Sequence, residues 1–469
     1  MSDKELWQFS ATELLAGYKA RRFMPSDALA AVMRRIGQVD ARLNAFLAFD
    51  VERAKTAATE ADAAWASPGT APALCGVPIS IKDTIEVEGM PTTYGSLAFK
   101  DNRQADAEMV TRLRKAGAVI LGKTNTPEFA LGAHTVNRLG PSTKNPWDLS
   151  RTSGGSSGGA AAAVASGMGP VALGTDSGGS IRLPAAYQGI YGLKPSYQRI
   201  PSVQSWRASP GRSHNGPITR TVADAALLMR VLAKPDPRDA DSMAFAPTDF
   251  ADYAKMSIAG ARIAIARHSD DDCGLDDVQR GLLADASRYM TAQGCRVSEA
   301  DMPVRPGGDE LEPGVWAYSG DHFGAAEALI PGFWAKHEAN LTDYARPIYA
   351  AGQRALAWQY RNVLRRNQAF KLAVQQWFAD YDYYVGPCCG AAPLGNGTNT
   401  PEERLKNLRY LMPLNFSHNP AAAVPFARSA EGLPLALQVV GKAGADVAVL
   451  ALSAAIEAAR PWSDAWPSL

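Results

Sequence analysis

Apolar residues near the start of the chain recur at helical spacing. Ser10-Ala11-Thr12-Glu13 has the form of a capping box ahead of Leu14, Leu15 and Tyr18. Ser26 stands where a cap would open a second helix carrying Leu29, Val32 and Ile36. Ala54–Ala66 is alanine-rich and reads as a third, so residues 1–70 form an N-terminal helical segment. The period then changes. Val77-Pro78-Ile79-Ser80-Ile81 alternates as a strand does and ends in the polar Lys82-Asp83-Thr84. Met109–Ala116 reads as a helix, Ala118–Leu121 as a strand, Ala160–Ala165 as a helix and Val171–Leu173 as a strand. Such alternation predicts the α/β class, a large sheet covered by helices on both faces.

Beyond Arg230 the pattern thins. Ala261–Ala266 and Tyr383–Val385 read as strands, and Val278–Gln293 reads as a helix. Glu327–Ala379 is mostly helical and rich in aromatics, and a loop runs from Gly386 to Thr400. Ala436–Val440 is a further strand, and Val447–Ala459 is a closing helix. No repeat and no low-complexity linker divides the chain, so 1–469 reads as one domain with a mostly helical, substrate-facing region at 235–410.

Charge narrows the range of partners. The 48 basic and 47 acidic residues leave a net charge of +1, and no long single-sign run points to nucleic acid or an anionic membrane. The five cysteines, Cys75, Cys273, Cys295, Cys388 and Cys389, show no CxxC spacing. They suggest neither a disulfide framework nor a zinc site. None of the six histidines has another three or four positions away, so no metal is expected. The N-terminus lacks an apolar signal core. The most apolar window, Ala160–Leu173, is broken by Gly167, Gly169 and Pro170, and falls short of the ~20 residues a membrane helix needs. A soluble, cytoplasmic protein is expected.

Two motifs mislead. Gly117–Thr124, GAVILGKT, spells a P-loop, but a phosphate cradle needs a loop where AVIL reads as a buried strand. Gly154–Gly158, GGSSG, spells the nucleophile elbow of α/β-hydrolases, which must follow a strand. The preceding residues 145–152 make a poor strand.

A different geometry links the serine clusters. A helix opening near Gly158, about ten residues or ~15 Å long, ends at Gly167 and Gly169. The chain returns along a strand from Val171, so TDSGGSIR at Thr175–Arg182 comes back beside SGGSSGG at Ser153–Gly159. If the strand ending at Lys82 runs parallel to that return strand, Lys82 joins them at the carboxyl edge, where open α/β sheets bind ligands. A serine among inward-facing N–H groups has an oxyanion hole around it but needs a base. No histidine is placed to serve, and a desolvated lysine can.

These segments resemble the amidase signature family. SGGSSGGAAAAVASG and GTDSGGSIRLPAAYQGIYGLKPS are similar to its central signature, CGVPISIKDTIEVEGMPTTYGS to its lysine segment, and AGAVILGKTNTPEFA to the strand and turn between them. The resemblance is strong over 76–224, weaker at GLPLALQVVG (432–441) and loose over 235–410. It implies an amidase signature fold and a serine–serine–lysine triad, with Ser180 as the acylated nucleophile, Ser156 as the relay and Lys82 as the neutral base. It also implies an oxyanion hole from the N–H groups of Ser177, Gly178, Gly179 and Ser180, and a cis peptide at Gly155-Ser156. Ser157, Thr175, Asp176 and Arg182 are implied as supports.

The function so implied is hydrolysis of a carboxamide C–N bond in a small or aryl/hydrophobic amide, with no cofactor and no metal; a homodimer is left open. The alternative is a glutamine-hydrolysing amidase subunit of a tRNA-dependent amidotransferase. A third reading, an inactive binding paralogue, conflicts with the intact Lys82, Ser156 and Ser180. For Trp206 and, in the divergent region, Trp316, Tyr318, Phe323, Phe333 and Trp334, core is the commoner fate and an acyl pocket the rarer.

Overall fold

The computed structural model describes residues 4–67, 69–203, 211–269, 275–303, 321–389, 393, 395 and 408–469. Ser10 caps the first helix, α1 (Ala11–Lys19), and exchanges bonds with Glu13 as a capping box does. The second, α2 (Pro25–Leu43), begins one residue before Ser26, with Pro25 in its first turn. Its end is satisfied by Asp27, which accepts the Met24 N–H at 2.9 Å. The predicted Ser26 cap is therefore corrected: proline is pre-set for the first helical position and takes it. The third helix is α3 (Val51–Ala66).

The strands are β1 (Phe46–Phe49), β2 (Pro78–Lys82), β3 (Val119–Thr124), β4 (Lys144–Asn145), β5 (Asp148–Thr152), β6 (Val171–Asp176), β7 (Tyr191–Lys194), β8 (His214–Thr219), β9 (Arg262–Ile265), β10 (Arg296–Glu299), β11 (Tyr383–Pro387), β12 (Ala421–Arg428) and β13 (Pro434–Gly441). Eleven form one mixed sheet in the order β1-β3-β2-β6-β8-β7-β12-β13-β11-β9-β10. β2 runs parallel to both β3 and β6, which is the arrangement the lysine argument requires. β4 and β5 form a separate two-stranded hairpin. So residues 148–152, unpromising in sequence, are a strand after all, but one outside the main sheet.

Helices cover both faces. Further helices are α4 (Glu108–Lys115), α5 (Gly158–Ala165), α6 (Arg182–Gln188), α7 (Val222–Leu232) and α8 (Asp277–Ala292). Side chains alternate along a strand, and the core follows that rule. Val171 and Leu173 of β6 pack with Met109 and Leu113 of α4 and Leu228 of α7, while Ala172 packs with Ala160 and Ala161 of α5. On β3, Ile120 joins the first layer, and Val119 and Leu121 meet Val32 and Ile36 of α2. The divergent region adds β9, β10 and β11 to the sheet as well as helices such as Ala357–Trp377. Among the described residues, no helix is long and apolar enough to cross a membrane.

Candidate active site

β2 delivers Lys82 to the carboxyl edge between two parallel neighbours, where it is fully buried. Its Nζ lies 2.6 Å from Ser156 Oγ, 2.8 Å from Thr175 Oγ1 and 3.4 Å from the Thr175 carbonyl. None of these partners is a carboxylate. Burial pushes the ammonium down to about 7, and the charge of Asp176 only partly opposes that. A lysine in that range gives up its proton near neutral pH.

The SGGSSGG segment is not a linker, because residues 152–160 are all buried. Its glycines are required by close approach. A Cβ on Gly155 would come within 2.6 Å of the Gly132 carbonyl oxygen, and one on Gly159 within 2.5 Å of Asn125 N and the Ala45 oxygen. The Gly155-Ser156 peptide is cis. The Ser157 N–H donates to the Ser180 carbonyl at 3.1 Å, and Ser157 Oγ donates to the Thr175 carbonyl at 3.2 Å. The two serine loops therefore touch. The α5 helix between them is eight residues long rather than about ten, and β6 runs on to Asp176.

Asp176 organises the second loop. Its carboxylate accepts N–H bonds from Gly179 (2.7 Å) and Ile181 (3.1 Å). Arg182 adds Nε at 3.0 Å and Nη2 at 2.9 Å. Burial opposes the charge on Asp176, but the Arg182 guanidinium, helped by Lys194 and Asn415, holds its carboxyl far below the usual carboxylate range. Gly179 has φ +115° and packs against Leu411, a conformation that favours glycine. Its N–H, implied as an oxyanion donor, is committed to Asp176. The N–H groups of Ser177, Gly178 and Ser180 find no acceptor among the described residues.

Three partners of this loop escaped sequence reasoning. Arg182 Nη1 donates to the Leu411 carbonyl (3.0 Å) and to Gln438 Oε1 (2.7 Å), and Nη2 donates to Asn415 Oδ1 (2.7 Å). These residues stand more than 220 positions from Arg182, and nothing in their local sequence announces the contact. The false P-loop is settled too. Gly122, Lys123 and Thr124 lie inside β3, and Lys123 Nζ pairs with Asp83 at 3.0 Å, both side chains buried. Phe323, Phe333 and Trp334 are buried in a core with Tyr94 and Phe129. Trp206, Trp316, Tyr318 and Cys273 lie outside the described residues.

A protein-family model described as Amidase matches residues 27–450. The chain belongs to the amidase signature family. It is 33% identical to an acylamidase of Rhodococcus erythropolis, over 100% of this chain and 99% of that protein. It is 34% identical to a glutamyl-tRNA(Gln) amidotransferase subunit of Roseiflexus castenholzii, over 98% of this chain and 96% of that one. The crystal structure of a bacterial aryl acylamidase of the family superposes with a TM-score of 0.88 at 28% identity, covering 97% of each chain. Family and fold agree with the sequence reading, and members of this family are hydrolases acting on amides.

Proposed function

We propose that the protein hydrolyses a carboxamide C–N bond through an acyl-enzyme on Ser180, with Ser156 as proton relay and Lys82 as neutral base. The observation that carries this is Lys82 Nζ, buried at 2.6 Å from Ser156 Oγ with no carboxylate in contact among the described residues. As Ser180 Oγ bonds to the amide carbon, its proton passes to Ser156 and the Ser156 proton to Lys82. The carbonyl oxygen takes up the negative charge, facing the N–H groups of Ser177, Gly178 and Ser180. The C–N bond then breaks, and the relayed proton returns to the departing amine. Water attacks the ester by the same relay, and Ser180 regains its proton as the acid leaves. Ser157 and Thr175 hold the relay in line, through the Thr175 carbonyl and hydroxyl.

Likeness to an acylamidase and an aryl acylamidase supports a small aryl or hydrophobic amide as substrate. Likeness to a component of an amidotransferase supports the second reading, glutamine hydrolysis for a partner. The test sets p-nitroacetanilide and a panel of alkyl amides against glutamine, using the chain alone. Turnover of the anilide, abolished together with fluorophosphonate labelling in Ser180→Ala, is the expected result. Glutamine as the only substrate would favour the amidotransferase reading. A Ser180→Ala enzyme that still turns over would overturn the mechanism.

A further inference from the structure

The stretch from Leu408 to Phe416, at the end of the divergent region and just beyond it, reaches the nucleophile loop. A Cβ on Gly179 would come within 2.5 Å of Leu411, and one on Gly178 within 3.2 Å of Met412. The next residues form the short helix Pro413–Phe416, in which the Asn415 N–H donates to the Met412 carbonyl at 2.9 Å. The Asn415 side chain then points into the Asp176–Arg182 ion pair, fully buried. Its Nδ2 donates to the Asp176 carbonyl (2.8 Å) and to Asp176 Oδ1 (2.9 Å), and its Oδ1 accepts from Arg182 Nη2 (2.7 Å).

This arrangement has chemical consequences. A single carboxamide satisfies an anion with its donor end and a cation with its acceptor end, and it adds no charge. A carboxylate there would keep the Arg182 contact and repel Asp176. An aliphatic side chain would leave both buried partners short of a bond. Asp176 is the hub whose oxygens fix the Gly179 and Ile181 N–H groups. A shift of its carboxylate therefore shifts the loop that carries Ser177, Gly178 and Ser180.

We propose that Asn415 is a positioning residue for the amidase reaction: its amide locks Asp176 and Arg182 in register and so sets the direction of the N–H groups of the 177–180 loop. This rests on Ser180 being the acylated serine. The segment 408–416 is thereby coupled to the transition state. Asn415 touches neither Lys82 nor Ser156 among the described residues, so its effect runs through Asp176.

The titratable groups facing this spot come from several elements. They are Asp176 itself on β6, Arg182 on α6, Lys194 on β7, His214 on β8, Cys388 just past β11 and Lys82 on β2. Burial holds Lys194 and His214 well below their ordinary values and Cys388 well above its own.

The test compares Asn415→Asp, Asn415→Leu and Gln438→Leu with the wild type. Readouts are the pH profile of kcat/KM for p-nitroacetanilide, the rate of Ser180 labelling by a fluorophosphonate, and Tm. In Asn415→Asp, the introduced carboxyl mimics the amide donor only while it shares a proton with Asp176, and of two carboxylates in contact one ionises only at raised pH. Activity should then fall again as pH rises, giving a descending limb that the wild type lacks. Asn415→Leu should lose about 10- to 100-fold in kcat and in labelling rate with KM held, the scale of one buried partner left unsatisfied. Gln438→Leu removes an acceptor from Arg182 without touching Asp176, and should show no descending limb. If Asn415→Leu does not fold, the Asp variant and the Gln438 control still decide. An Asn415→Asp profile that matches the wild type, or a descending limb shared by Gln438→Leu, overturns the inference. A wild type unlabelled at Ser180 overturns the assignment beneath it.

Discussion

Two fully buried lysines lie near the carboxyl ends of neighbouring strands of the same sheet, Lys82 last on β2 and Lys123 next to last on β3. Burial lowers both. They differ in what faces them. Lys123 has the Asp83 carboxylate at 3.0 Å and the Thr92 hydroxyl at 2.7 Å, and Asp83 pulls its pKa back up. Lys82 has two hydroxyls and a carbonyl, and its pKa settles at about 7. The same desolvation therefore produces an ion-pair cation in one case and, on our reading, a base in the other. Whether a carboxylate stands within contact distance decides which.

Removing each amine breaks the comparison in a different currency. Lys82→Ala should lower kcat/KM by about a thousandfold, within the usual range for a general base, while Tm holds or rises because a buried amine is gone. Lys123→Met should do the reverse. It strands Asp83 as a buried charge, at a cost of about 3–5 kcal/mol in chemical denaturation, with turnover per folded molecule changed only a few-fold. Equal activity losses in the two variants would dissolve the distinction.

Giving Lys82 the kind of partner Lys123 has would sharpen it. In Thr175→Asp an opposite charge beside Lys82 should raise its pKa by about 1–3 units. Activity at pH 7 then drops about tenfold or more and recovers at higher pH, and a pH-independent loss would argue for simple misplacement. The smallest effect belongs to an exposed pair. Lys55 and Glu52 sit 2.8 Å apart on the surface, and Lys55→Ala should move stability by less than about 0.5 kcal/mol.

The lysine contrast also marks what could be read from the sequence. Strands β2, β3 and β6 were visible because their apolar runs are bounded by glycine, proline or polar ends, and the proposed roles of Lys82, Ser156 and Ser180 rest on the family resemblance of the segments around them. β12 (Ala421–Arg428) was not visible: AAAVPFAR contains a proline and small residues, and it is a strand because β7 and β13 flank it. Asn415 and Gln438 were missed for a related reason. Their roles are fixed by contacts formed across more than 220 residues of chain, and a lone Asn or Gln carries no local signature. Conversely, GAVILGKT showed that a perfect motif in a strand is spent on packing and a buried ion pair.

The most direct measurement is the rate of Ser180 phosphonylation by a fluorophosphonate across about pH 5 to 10, in wild type and in Lys82→Ala. If Lys82 is the neutral base, deprotonation switches the enzyme on, so the wild-type rate should rise with pH through a midpoint near 7 and then level off. The Lys82→Ala rate should be low throughout and lack that step. A wild-type midpoint near 10, the ordinary lysine range, or the same step in both proteins would contradict the account.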